Sequence, residues 1–94
     1  MNYYVYILKS NKNNSFYIGS SGNVTKRVIL HNRSMVKSTK RYAPWKIVYQ
    51  ECFSNLSLAR KKELYLKSLK KREPIENLIK SRILDNFGGS GPIV

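Results

Sequence analysis

The run Tyr3-Tyr4-Val5-Tyr6-Ile7-Leu8 leaves a folded chain little freedom. Its residues are β-branched and aromatic, the types that favour extended backbone. In a strand Tyr4, Tyr6 and Leu8 share one face and Tyr3, Val5 and Ile7 the other, so both faces are apolar. A strand of that kind belongs in the centre of a sheet. The run stops at Lys9-Ser10-Asn11-Lys12-Asn13-Asn14, a turn by composition, and Ser15 to Ser20 resumes as a second strand. So short a connection pairs the two strands antiparallel as a hairpin, which sets Tyr6 and Tyr17 side by side.

The rest of the chain reads as alternating helix and strand. Ser21-Gly22-Asn23 supplies a turn and a helix N-cap, and Val24 to His31 is a short helix closed by Asn32, with Val24 and Val28 on its buried side. Arg33 to Pro44 has no period and reads as a loop. Trp45 to Phe53 is a third strand, on which Trp45, Ile47 and Tyr49 alternate in part, against Lys46 and Gln50. Ser54 or Asn55 caps a second helix to about Lys71, its apolar stripe set by Ala59, Leu66 and Leu69. Pro74 suits the first turn of a third helix, capped near Glu73, which turns Ile75, Leu78, Ile79 and Ile83 inward. The expected organisation is one domain over residues 1–84 and a flexible tail over 85–94, where Gly88-Gly89-Ser90-Gly91-Pro92 breaks any period.

With 94 residues the chain supports one core. It carries 18 Lys and Arg against 5 Asp and Glu, a formal net charge of +13, far from the balance of a generic solvated surface. The expected partner is polyanionic. Basic residues run through the whole sequence interleaved with aromatics, which favours nucleic acid over a membrane surface. The lone Cys52 excludes an internal disulfide and a cysteine-based zinc site, and reads as a small core residue. Met1-Asn2-Tyr3 opens neither a basic n-region nor an apolar h-region, and no run approaches a membrane span, so a cytoplasmic location is expected.

Glu63 is the most discriminating position. It lies four residues after Ala59 and three before Leu66, so it points where they point. A carboxylate turned toward a core has to be paired, neutral or metal-bound. One reading is a surface ion pair with Arg60 or Lys67, worth ~0.3–0.5 kcal/mol. The other is an oxygen ligand for one Mg²⁺ or Mn²⁺, ions that take few protein carboxylates and fill the remaining positions with water and phosphate oxygens. Arg27 can hold a phosphate bidentately, or it can be part of a solvated basic helix face with Lys26. His31, one turn later, can donate to phosphate or orient a water, or simply pack. Tyr6 and Tyr17 are either strand packing or phenols that take or relay a proton. Gly19 marks a strand-end bulge or a close approach of backbone or phosphate. With Gly19, Lys26 and Arg27, the cations Lys37, Lys40 and Arg41 are the candidate nucleic-acid contacts.

In this order the motifs closely resemble the GIY-YIG nuclease superfamily, in particular its small stand-alone members, which are similar to the N-terminal incision module of the bacterial excision-repair endonuclease. Tyr4-Val5-Tyr6 stands where that family has Gly-Ile-Tyr, and Tyr17-Ile18-Gly19 matches its second motif. Arg27, His31 and Glu63 fall on its arginine, histidine and metal-binding glutamate, and Ala59 to Lys67 reads like its catalytic helix. The match spans roughly Asn2 to Ile79. Two departures stand out: Tyr4 occupies the usual glycine position, and the family's late polar residue has only Asn77 as a candidate.

The resemblance implies an α+β fold, a three-stranded antiparallel sheet flanked by about three helices in the order β-β-α-β-α-α. It implies hydrolysis of DNA by an endonuclease with one divalent ion on Glu63. Tyr17 would act as or assist the general base, Arg27 would stabilise the phosphate, and Tyr6 and His31 would complete the network around the nucleophile. A role in repair or recombination with low intrinsic sequence specificity follows, with DNA structure, a partner protein or a homodimer supplying the rest. RNA is not excluded as a substrate. The alternative is a non-catalytic basic DNA- or RNA-binding module that works with a partner protein.

Overall fold

The computed structural model describes residues 2–33 and 35–89, and the side chains among them as far as Ser81. Three strands, β1 (Tyr3–Ser10), β2 (Phe16–Ser21) and β3 (Trp45–Phe53), form one antiparallel sheet in the order β2-β1-β3. The doubly apolar β1 is therefore the central strand. Val5, Tyr6, Ile7 and Leu8 are all buried, as a strand covered on both faces requires. Helices α1 (Val24–Asn32), α2 (Leu56–Ser68) and α3 (Arg72–Gly89) complete the β-β-α-β-α-α order, with a short 3-10 turn at Lys40–Tyr42 and a cis peptide at Ala43–Pro44. The architecture is the expected three-stranded antiparallel sheet with three helices.

The two faces of β1 collect different layers. Val5 and Ile7 join Tyr49, Ala59, Leu66 and Ile75 in a cluster under α2 and α3. Tyr6 and Leu8 join Val24 and Trp45 under α1. Both Asn23 and Asn55 cap their helices, each side chain accepting from the backbone N–H three residues on. In the β1–β2 turn the buried Ser10 hydroxyl accepts from the N–H groups of Lys12 and Asn13 and donates to the carbonyl of Tyr42.

Four features differ from the sequence expectation. The β1–β3 register shifts between Ile7 and Leu8, so that Ile7 faces Tyr49 and Leu8 faces Ile47, with Val48 as an extra residue on β3. This bulge puts Tyr49 on the α2 side while Trp45 stays on the α1 side, and Ile47 is exposed. Cys52, opposite Tyr4 on the edge strand, is exposed and not a core residue. Helix α2 ends at Ser68, short of Lys71, because Lys70 adopts a left-handed conformation (φ 55°), which costs an L-residue about 1–2 kcal/mol. Helix α3 runs to Gly89, so residues 85–89 of the expected tail are helical, and 90–94 lie outside the described residues.

Candidate active site

The site is built around one close approach between β1 and β2. Tyr6 and Gly19 are cross-strand partners, and a Cβ added to Gly19 would stand 2.7 Å from the Tyr6 hydroxyl and 3.1 Å from the Tyr17 ring. The space above Gly19 is thus filled by two phenol rings rather than left for a phosphate. That is the physical reason for a glycine in this strand. Tyr17 pairs with Leu8, one position along the same face, and its ring centroid is 6.3 Å from that of Tyr6.

Helix α1 brings His31 against both tyrosines. His31 is fully buried, 4.7 Å from Tyr17 between ring centroids, with Nε2 3.3 Å from the Tyr6 hydroxyl and Nδ1 2.7 Å from the Thr39 hydroxyl. Thr39 spends its single proton on the carbonyl of Val36, so it accepts from His31 Nδ1–H, and the bare Nε2 accepts from Tyr6. Burial, and then the charge of Arg27, lower the His31 pKa below its ordinary value, which keeps the ring neutral at neutral pH. For Tyr6 burial dominates and raises the pKa, against the hydrogen bond and charge of Arg27, while Tyr17 and Glu63 add to the rise. The phenol is therefore protonated and serves as the donor to His31.

Glu63 reaches the same strand from the opposite face. The Ser20 hydroxyl, next to Gly19, donates to Glu63 Oε1, and Lys67 Nζ pairs with Oε2 at 2.7 Å. The ion pair expected of a helical surface is present, yet the Glu63 side chain is only 18% exposed. Burial acts to raise its pKa, but the hydrogen bonds of Lys67 and Ser20 and the charges of Lys67 and Arg60 outweigh it and hold the carboxyl below its ordinary range. Because β2 is the edge strand, Tyr6 on one side and Glu63 on the other are close enough across its rim to interact electrostatically.

The sequence-predicted residues divide accordingly. Tyr6, Tyr17, Gly19, Arg27, His31 and Glu63 come together around β2. Lys26 is exposed on α1, Lys37, Lys40 and Arg41 are exposed on the segment between α1 and β3, and Asn77 is exposed on α3. Three residues with structural roles at the site escaped the sequence reading. Thr39 orients His31, and Ser20 holds Glu63. Asn32 clasps the backbone of Trp45, accepting from its N–H and donating to its carbonyl. Each is a short polar side chain at a loop, cap or strand end, where no hydrophobic period marks it.

One carboxylate with a neighbouring hydroxyl fits a hard divalent ion that keeps water and phosphate oxygens as its other ligands. Among the described residues no group of three or more His, Cys, Asp and Glu could form an all-protein cage. Nor is any described helix long and apolar enough to cross a membrane.

Comparison with known proteins gives a consistent result. Residues 2–77 match the family described as the GIY-YIG catalytic domain. A UPF0213 protein of Clostridium perfringens is 40% identical over 80 residues, covering 84% of each chain. One of Staphylococcus haemolyticus is 39% identical over 75 residues, covering 79% of this chain and 90% of the relative. The solution NMR structure of a UPF0213 protein from Bacillus halodurans superposes with a TM-score of 0.54 at 30% identity, covering 85% of this chain and 84% of that one.

Proposed function

The chain belongs to the GIY-YIG family, and from that premise we propose that it is a divalent-metal-dependent endonuclease hydrolysing phosphodiester bonds in DNA. The observation that carries this reading is the rim of β2, where Tyr6, Tyr17, His31 and Glu63 gather around two successive residues, Gly19 and Ser20, with the Arg27 guanidinium hydrogen-bonded to Tyr6. Packing alone calls for neither an ionised carboxylate nor a guanidinium at that place.

The burial of the two tyrosines separates their roles. Tyr6 is 1% exposed and cannot meet an attacking water, whereas Tyr17 is half-buried and can. Tyr17 therefore orients the water and relays its proton. Tyr6, His31 and Thr39 form the hydrogen-bonded support that fixes the ring against which Tyr17 lies. Arg27 holds the scissile phosphate and opposes the charge that develops on it. Glu63, ionised at neutral pH and steadied by Ser20, would hold one Mg²⁺ or Mn²⁺, which supplies Lewis-acid activation and positioning when bound. The exposed cations on α1 and on the segment after it draw DNA to this rim without reading sequence, so intrinsic specificity is low and repair or recombination is the proposed setting.

A second reading, a binding module without turnover that works with a partner protein, is favoured by one observation: Glu63 is already paired with Lys67. Cleavage of labelled DNA and RNA substrates with Mg²⁺ or Mn²⁺ decides between them. Glu63→Ala and Tyr17→Phe are expected to abolish metal-dependent cuts while affinity stays close to wild type. Binding by the wild type without cuts on any substrate would sink the nuclease and leave the module.

A further inference from the structure

A cleft of about 360 Å³ adjoins the site, between the outer edge of β2 and the turn joining α2 to α3. Phe16, Tyr17 and Ile18 form one wall, and Lys67, Lys70, Lys71 and Arg72 stand around the other. Two of these cations have carboxylate partners, Lys67 with Glu63 and Arg72 with Glu76. Among the described residues Lys70 and Lys71 have none. The cleft is continuous with the rim of β2, because Tyr17 lines both and Lys67 touches Glu63.

The backbone at Lys70 adds a second observation. The chain has two non-glycine residues at positive φ, Asn14 and Lys70, among those described. Asparagine tolerates that conformation, and lysine does not do so readily. The strained residue lines the cleft, and strain of this kind is held where a residue is needed for function.

We propose that this cleft is the track for the phosphodiester backbone of the nucleic-acid strand that enters the site, with Lys70 and Lys71 as its unpaired phosphate contacts. The assignment rests on the nuclease reading and deepens it. It moves the main backbone contact from the exposed cations between α1 and β3 to the α2–α3 turn. Phe16 on the facing wall holds the Arg72 guanidinium 4.3 Å from its ring centroid.

The test is the salt dependence of binding to a short labelled DNA duplex, followed by fluorescence anisotropy without metal, so that no cleavage is needed. Lys70→Gly is expected to keep or raise the thermal midpoint, since glycine adopts the left-handed conformation freely, and yet to weaken binding. Its slope of log affinity against log salt should be shallower by about 0.9, and that of the Lys70→Gly/Lys71→Ala double variant by about 1.8. Lys71→Ala alone serves where glycine disturbs the turn. Lys61→Ala, an exposed cation on α2 outside the cleft, controls for the loss of one charge from the whole protein. Slopes that match this control overturn the track and leave the nuclease reading to the cleavage assay. A wild-type protein with no salt-dependent binding to DNA overturns both.

Discussion

The face of the sheet under α2 and α3 is closed mainly by Val5, Ile7, Ala59, Leu66 and Ile75, with Tyr49 beside them, whereas the face under α1 is threaded with polar groups. Tyr6, His31 and Thr39 run through the latter, and Trp45 donates its indole N–H to the Thr39 carbonyl. Alternate residues of a single strand, β1, supply both. Aliphatic burial is non-directional and tolerates small adjustments, so the first face mainly provides free energy. Buried hydrogen bonds are directional, and a group left without its partner is expensive, so the second face provides position. The site takes its carboxylate from the first face and its phenols, imidazole and guanidinium from the second. It can do so only at the rim of an edge strand, where the two faces meet.

That division can be broken on either side. Leu66→Ala, on the buried face of α2 and 2% exposed, should lower unfolding stability by about 2–5 kcal/mol, read by denaturant titration, with the cleavage rate of the remaining folded protein nearly unchanged. Gly19→Ala should do the reverse. Its Cβ forces the Tyr6 ring aside, for a stability loss of about 1–3 kcal/mol and a much larger loss of cleavage, since the ring anchoring His31 moves. Tyr6→Phe keeps the packing but strands His31 Nε2, and should cost about 1–2 kcal/mol. Equal stability losses for Leu66→Ala and Tyr6→Phe would show that the faces are not specialised as described.

The smallest effect is a pH dependence. His31 has a lowered pKa when folded, so as pH falls below 6.5 the unfolded chain takes up a proton that the folded one refuses. The unfolded state then holds more protons, and stability must fall on acidification. Glu63, also lowered, adds to the loss as pH drops below 4.5. Thermal midpoints across this range should decline, and His31→Gln should remove the part that begins near 6.5.

Most of the fold was legible because β1 announces itself. A strand apolar on both faces fixes the sheet order, and the caps at Asn23 and Asn55 fix two helix starts. What was not legible has local causes. The bulge at Val48 reverses the alternation halfway along β3, so a period-2 reading wrongly kept Tyr49 on one face with Trp45 and Ile47. The end of α2 lacks the glycine that usually marks such a stop, because Lys70 occupies that position. The spacing of Ala59, Glu63 and Leu66 turns the carboxylate toward the buried side of α2, where its side chain is 18% exposed, but its hydroxyl partner Ser20 lies 43 residues away in sequence and only the tertiary fold brings it there.

The Asn32 clasp on Trp45 carries a consequence for how the chain can vary. It ties together the two ends of the segment over residues 33–44, and Thr39 pins its middle to His31. The entropy of closing that excursion is thus set by two fixed anchors, and doubling a flexible stretch between such anchors adds only about 0.6 kcal/mol. Insertions placed ahead of Val36 leave the Thr39 hydroxyl its Val36 acceptor and both anchors in place, so that stretch is a natural place for relatives to differ in length.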